Sequence, residues 1–286
     1  MVKKLKYQDA VKKDECALIT EIVCRRIAQP LAILAYKLGL TANFVTLVAG
    51  LCWIISTPLA VMAGYVFGSG RVGYGLSLWF LCGFLWNAGY LLDIADGSLA
   101  RMTGSSSRRG FYLDYVFHLL FKPAFLLSIG IGLYLSYGGG VLFLVVATLT
   151  IPANWSASSS AVEHVLCEEM GKGKLPPSLL ADSENFQAIW LGVTDINDSA
   201  QRKKLSAKSF LKALLAEILS YYGQFTFFSF TVLADIILWF SGFGRIVLPV
   251  TTISFLLISL FMIIRTPMRV WREYKRIALS DQVKPM

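Results

Sequence analysis

The sequence predicts an all-α, polytopic membrane protein with six transmembrane helices and an N-terminal amphipathic surface helix. Three observations carry that prediction. Of 286 residues, 56% are apolar and only 16% charged, too little polar material to clothe so much apolar side chain in water. The apolar residues gather in six runs, each near the roughly 20 residues that a helix needs to cross the hydrocarbon. Lys and Arg concentrate in alternate connections between these runs, the bias of loops that face the cytoplasm.

Residues 1–39 form a basic segment and the surface helix. Within it, residues 14–39 mix Ile19, Ile22, Val23 and Ile27 with Glu21, Arg25 and Arg26 at helical spacing. That is the pattern of a helix lying in the interface, and Pro30 is expected to break it. The segment has no short apolar core followed by a small-residue cleavage site, so no removable signal peptide is expected.

Residues 40–286 form the six-span membrane domain, with spans at about 42–67, 74–100, 111–135, 140–165, 211–240 and 245–268. Gly138, Gly139 and Gly140 make a tight turn between the third and fourth. Between the fourth and fifth lies a polar insertion at about 167–209, carrying Pro176, Pro177, Asp182 and Glu184. Its run Asp195, Asn197, Asp198 lacks the glycine and distal glutamate of a calcium loop and reads as a solvated turn.

Orientation follows from the basic residues. Eight lie in the first forty positions, Arg101, Arg108 and Arg109 follow the second span, a cluster including Arg202, Lys203 and Lys204 precedes the fifth, and six lie from Arg265 onward. The alternate connections hold Arg71, none, and Arg245. Both termini are therefore expected on the cytoplasmic side. The net charge of +9 is then explained by anionic lipid at that leaflet, and no nucleic-acid partner is expected. Five cysteines, an odd number with Cys52 and Cys82 inside apolar runs, argue against a disulfide framework.

The chemistry-bearing residues sit where the second span ends and the third begins. Asp93 and Asp96 are three apart, and Asp114 and His118 four apart, so each pair shares a helix face. A short connection makes the two helices antiparallel neighbours, and the four groups can converge near the cytoplasmic surface. Like charges gathered so closely repel unless a cation neutralises them. Mg²⁺ or Mn²⁺ suits carboxylates better than zinc does, and such an ion can bridge phosphates. Gly97 leaves room for a nucleotide or pyrophosphate against the backbone. The blander reading, in which the acids cap helices and pair with Arg101, Arg108 and Arg109, would suit a single aspartate better than four groups in register at membrane depth.

This stretch resembles the CDP-alcohol phosphotransferase signature: Asp, two residues, Asp-Gly, two residues, Ala-Arg, eight or nine residues, Gly, three residues, Asp, three residues, Asp. Asp93, Asp96, Gly97, Ala100, Arg101, Gly110 and Asp114 match in type and spacing, and His118 stands in place of the last aspartate. A weaker similarity links Thr41-Ala42-Asn43-Phe44-Val45-Thr46 to the family's Pro-Asn-x-x-Thr segment, with Ala42 at the proline position; Asn and Thr at a helix start explain it equally well.

The resemblance implies a membrane transferase of substituted phosphate groups, working in phospholipid biosynthesis. An alcohol would attack the β-phosphate of a CDP-activated donor and release CMP. It further implies that Asn43, Thr46, Gly97, Ala100, Arg101 and Gly110 hold the CDP moiety and that Asp93, Asp96 and Asp114 hold one or two Mg²⁺ or Mn²⁺ ions. Catalysis would fall to Asp114 and His118, with His118 as base or as an extra metal ligand. Imidazole can accept the alcohol's proton, its ordinary pKa of about 6.5 being suited to it. The expected partners are the CDP-linked donor, an alcohol or lipid acceptor, membrane lipids and, as an open alternative, a second copy in a homodimer.

Acceptor contacts are less defined. Lys122 lies on the stripe of Asp114 and His118, roughly 12 Å deeper than Asp114 along the helix. It suits either an anionic acceptor or a buried acid. Arg265, Arg269 and Arg272 recur at helical spacing and suit either an acceptor phosphate or positive-inside anchoring. Glu217, Tyr221 and Gln224, with Glu163 and His164, suit either the cleft or helix pairing. The rivals to an enzyme are a catalytically impaired homologue serving as a binding or scaffolding protein, and a transporter; the crowding of charge toward one side weighs against transport.

Overall fold

The computed structural model describes residues 23–105, 108–151, 214–215, 218, 221–243 and 248–282. The described residues form helices and their connections, with no strand among them. In chain order the helices are α1 (Arg25–Lys37), α2 (Ala42–Gly68), α3 (Val72–Thr103), α4 (Arg108–Ser136), α5 (Val141–Ile151), α6 (Tyr221–Leu238) and α7 (Pro249–Gln282). A π-helical turn, Trp239–Phe243, extends α6. Among the described residues, five helices are long and apolar enough to cross a membrane, and α5 is a shorter apolar helix. The chain is a multi-pass integral membrane protein. The expected fourth span begins at α5, and its remainder lies outside the described residues, as does the whole 167–209 insertion.

Local chemistry accounts for the boundaries. Thr41 caps α2, its Oγ1 accepting from the Phe44 N–H at 3.2 Å, which satisfies one of the orphan donors of the first turn. Ser69, Gly70 and Arg71 are all that separate α2 from α3, so these helices run antiparallel. Gly104 ends α3 in the left-handed region at φ 64°, a conformation that glycine adopts without a Cβ penalty. The expected turn after the third span lies at Gly138 and Gly139, with φ 68° and 114°.

One expectation for the surface helix is corrected. Pro30 does not break it: α1 runs unbroken from Arg25 to Lys37 with Pro30 inside. The proline faces outward, and the helix is held by the buried stripe Ala28, Ala32 and Ala35. Ala28 and Ala32 pack with Ala95 and Met102 of α3, and this lateral packing compensates for the missing backbone hydrogen bond.

α2 packs closely along both α3 and α4, whereas α3 and α4 approach each other less closely among the described residues. Bilayer helices associate through close packing rather than through escape from water. A methyl on Gly64 would collide with the backbone of Gly132, so the α2–α4 approach requires small residues there. At the centre, Phe125 meets Trp86 and Phe225 edge-on, with ring centroids 4.8 and 4.7 Å apart. Polar contacts tie α6 into the bundle. Asn87 Nδ2 donates to Ser229 Oγ at 2.6 Å, and Thr226 Oγ1 donates to Asn87 Oδ1 at 2.9 Å. Asp235 of α6 accepts the Val250 and Thr251 N–H groups at 2.8 Å each, capping the start of α7.

Candidate functional site

The last third of α3 and the first third of α4 supply the site. Asp93 lies ten residues before the end of α3 and Asp114 six after the start of α4, about 15 Å and 9 Å from those ends. Both therefore sit on the side of the bundle where the α3–α4 connection lies. The spacing of four directs Asp114 and His118 to one face of α4, and that face meets Asp93. His118 Nε2 stands 3.0 Å from Asp114 Oδ1 and 3.3 Å from Asp93 Oδ1. One ligand atom from each of the three residues lies within 4.8 Å of the others. Because the two helices approach loosely, these side chains bridge a gap rather than being pressed together.

α2 forms the wall behind that gap. Its buried residues Thr46, Ala49, Gly50, Trp53, Ser56 and Ala60 recur at helical spacing. Thr46 Oγ1 donates to Asp96 Oδ2 at 2.5 Å, so Asp96 turns toward α2. The Trp53 ring lies 5.3 Å from the His118 ring, tilted by 48°, and its Nε1 donates to the Trp86 carbonyl at 3.2 Å. Below the polar groups, Phe121 and Phe225 pack on the same indole. These aromatic rings close one side of the site. Exposure follows that geometry: the Asp93 and His118 side chains are 13% and 10% exposed, and Asp114 is 39% exposed.

The other expected site residues divide into near and distant groups. Gly97 and Ala100 lie half-buried between Asp96 and the exposed Arg101. The Arg101 guanidinium folds back along α3. Its Nη2 donates to Ser98 Oγ at 3.4 Å, and its Nη1 sits 3.4 Å from the place a Gly97 Cβ would take. Gly97 thus leaves a shelf of open backbone under a cation. Asn43 is exposed at the head of α2, one turn before Thr46, and Gly110 is half-buried at the start of α4.

Two of the expected acceptor-side residues have contacts among the described residues. Arg265 lies over the Phe261 ring of its own helix, 5.9 Å from the centroid. Gln224 is buried and donates to Met262 Sδ at 3.5 Å, an α6–α7 contact. The side chains of Lys122, Arg269, Arg272 and Tyr221, and residues Glu163, His164 and Glu217, lie outside the described residues.

Two residues passed unnoticed in the sequence. Trp53 is three and seven residues beyond Gly50 and Thr46, so its place on the site-facing stripe of α2 was available from helical periodicity. Asp235, a carboxylate inside the fifth apolar run, was also visible as a costly group. Its partners, the first N–H groups of α7, depend on how the last two spans meet.

An Asp-Asp-His cluster of this kind can hold a divalent cation by two oxygens and a nitrogen. The neighbouring Arg101 and the bare Gly97 backbone can receive an anion. Together they suit a substrate bearing phosphate. Among known proteins, the family model described as CDP-alcohol phosphatidyltransferase matches residues 39–174, a stretch that contains all of α2, α3, α4 and α5. No curated protein and no solved structure matches the chain.

Proposed function

We propose, from the premise that residues 39–174 make this chain a member of the CDP-alcohol phosphatidyltransferase family, that it transfers a phosphate-linked group from a CDP-activated donor to an alcohol in phospholipid synthesis, releasing CMP. The observation that carries this reading is the meeting of Asp93, Asp114 and His118, with one ligand atom each inside 4.8 Å. A divalent ion held by these residues would neutralise charge on the donor's pyrophosphate and on the departing CMP.

The chain's own groups divide the remaining work. Arg101, lying over Gly97, offers a guanidinium to a phosphate where no side chain blocks the backbone. Asn43, exposed at the head of α2, and Gly110 at the start of α4 suit the nucleoside end. Thr46 fixes Asp96 and so keeps a third carboxylate beside the donor. His118, with Nε2 turned to two carboxylates, would serve as a ligand and orienting group. Asp114, the most exposed of the three at 39%, is the group that an incoming alcohol can reach to give up its proton. The site faces the cytoplasm, consistent with the basic residues at the α3–α4 connection.

The test is CMP release by purified protein in Mg²⁺ or Mn²⁺, across a panel of CDP-linked donors with polar or lipid alcohols present. Asp96→Ala is expected to abolish turnover and His118→Asp to retain part of it. Equal turnover by wild type and Asp96→Ala would sink the assigned machinery, and no CMP release by the wild type from any donor would favour a scaffolding homologue.

A further inference from the structure

The metal chemistry of the site turns on His118. Two neighbouring ligands on one ion, with bonds of about 2.1 Å, stand roughly 3.0 Å apart at a right angle and roughly 3.4 Å apart at a tetrahedral one. His118 Nε2 is 3.0 Å from Asp114 Oδ1 and 3.3 Å from Asp93 Oδ1. Both separations from the imidazole nitrogen fit neighbouring ligands of a single ion, and the third donor pair lies inside 4.8 Å.

Charge points the same way. Asp96 is engaged by Thr46 on α2 and stands outside the three-residue cluster. The cluster proper has two carboxylates and an imidazole that is neutral when it ligates, a total that one divalent ion balances. Mg²⁺ holds its waters and prefers oxygen, whereas imidazole suits first-row transition ions. Two of the three ligands are also shielded from solvent. Asp93 and His118 are 13% and 10% exposed, and the Trp53 ring stands 5.3 Å from the imidazole.

We infer that His118 makes this centre a single-ion, mixed nitrogen–oxygen site that selects Mn²⁺ or a neighbouring first-row ion over Mg²⁺. The inference rests on the proposed reading of Asp93, Asp114 and His118 as a metal site, and its test needs no CDP donor. Purified full-length protein is titrated with Mn²⁺, free Mn²⁺ being read by electron paramagnetic resonance, with Mg²⁺ as competitor. Pulsed spectra of the bound ion report a coordinated nitrogen directly.

The expected result is one Mn²⁺ per chain, a nitrogen coupling in the wild type, and preference for Mn²⁺ over Mg²⁺ lowered by about tenfold or more in His118→Asp. Two ions per chain, or bound Mn²⁺ without a nitrogen coupling, overturns the inference; since the coupling is read on wild type, a poorly folding variant does not blunt the test. Binding as expected with no CMP release from any donor would sink the phosphotransfer reading and leave the metal site standing. CMP release with an ion bound only through oxygen would do the reverse.

Discussion

The Thr46 hydroxyl hydrogen-bonds the Asp96 carboxylate across fifty positions of sequence, Oγ1 to Oδ2, at 2.5 Å and away from solvent. The contact ties the start of α2 to the end of α3 and fixes where one of the site's carboxylates points. Replacing Thr46 by valine keeps the shape and removes the donor. A buried carboxylate left without its donor costs about 1–3 kcal/mol. Thr46→Val is expected to unfold at lower temperature and to lose CMP-releasing activity, and Thr46→Ser to recover both. Thermal unfolding in detergent alongside turnover checks this; a valine variant equal to wild type in both would remove Thr46 from any positioning role.

Asp114 is the site carboxylate most open to solvent. Asp114→Asn retains its volume but neither accepts a proton usefully nor binds a cation well. Turnover is expected to fall by roughly 100-fold or more, with Mn²⁺ binding weakened in parallel. Single-turnover CMP release and equilibrium metal titration on the same preparation separate the two effects.

Chelation should silence CMP release reversibly. Removing divalent ions from purified protein is expected to stop CMP release, and restoring Mn²⁺ to recover it. Circular dichroism should not change, because the helices are held by their own packing, as at Gly64 against Gly132. Full activity in excess chelator would exclude metal-assisted transfer.

Asp235 supplies a control remote from the chemistry. It accepts two N–H groups at the head of α7, and Asp235→Ala leaves both without that acceptor. The expected loss is roughly 1–3 kcal/mol of stability, read as a lower unfolding temperature, with Mn²⁺ affinity unchanged. A matching loss of metal affinity would show that α6 and α7 shape the cluster after all.

Gly64 tests the packing that holds α2 against α4. Any side chain there meets the Gly132 backbone, so Gly64→Leu is expected to reduce the yield of folded protein sharply. Gly70→Ala, in a turn with nothing within 4 Å of a Cβ but at φ 83°, should cost far less. Detergent-solubilised monodisperse protein, measured by size-exclusion chromatography, ranks the two.

Residues one helical turn apart carry their geometry in their spacing. Asp114 and His118 were therefore legible as one face before any fold was known, and so was the run of spans, because a bilayer imposes length and polarity directly on local sequence. Partner choice across helices is not local. That Asp96 turns to Thr46 while Asp93 turns to His118, that α2 rather than α4 is the close companion of α3, that Trp53 closes one side of the site and that Pro30 sits inside an intact helix all follow from side chains far apart in sequence packing together. Spacing placed the acids and the imidazole on their faces; only the meeting of three helices decided which of them share an ion's width of space.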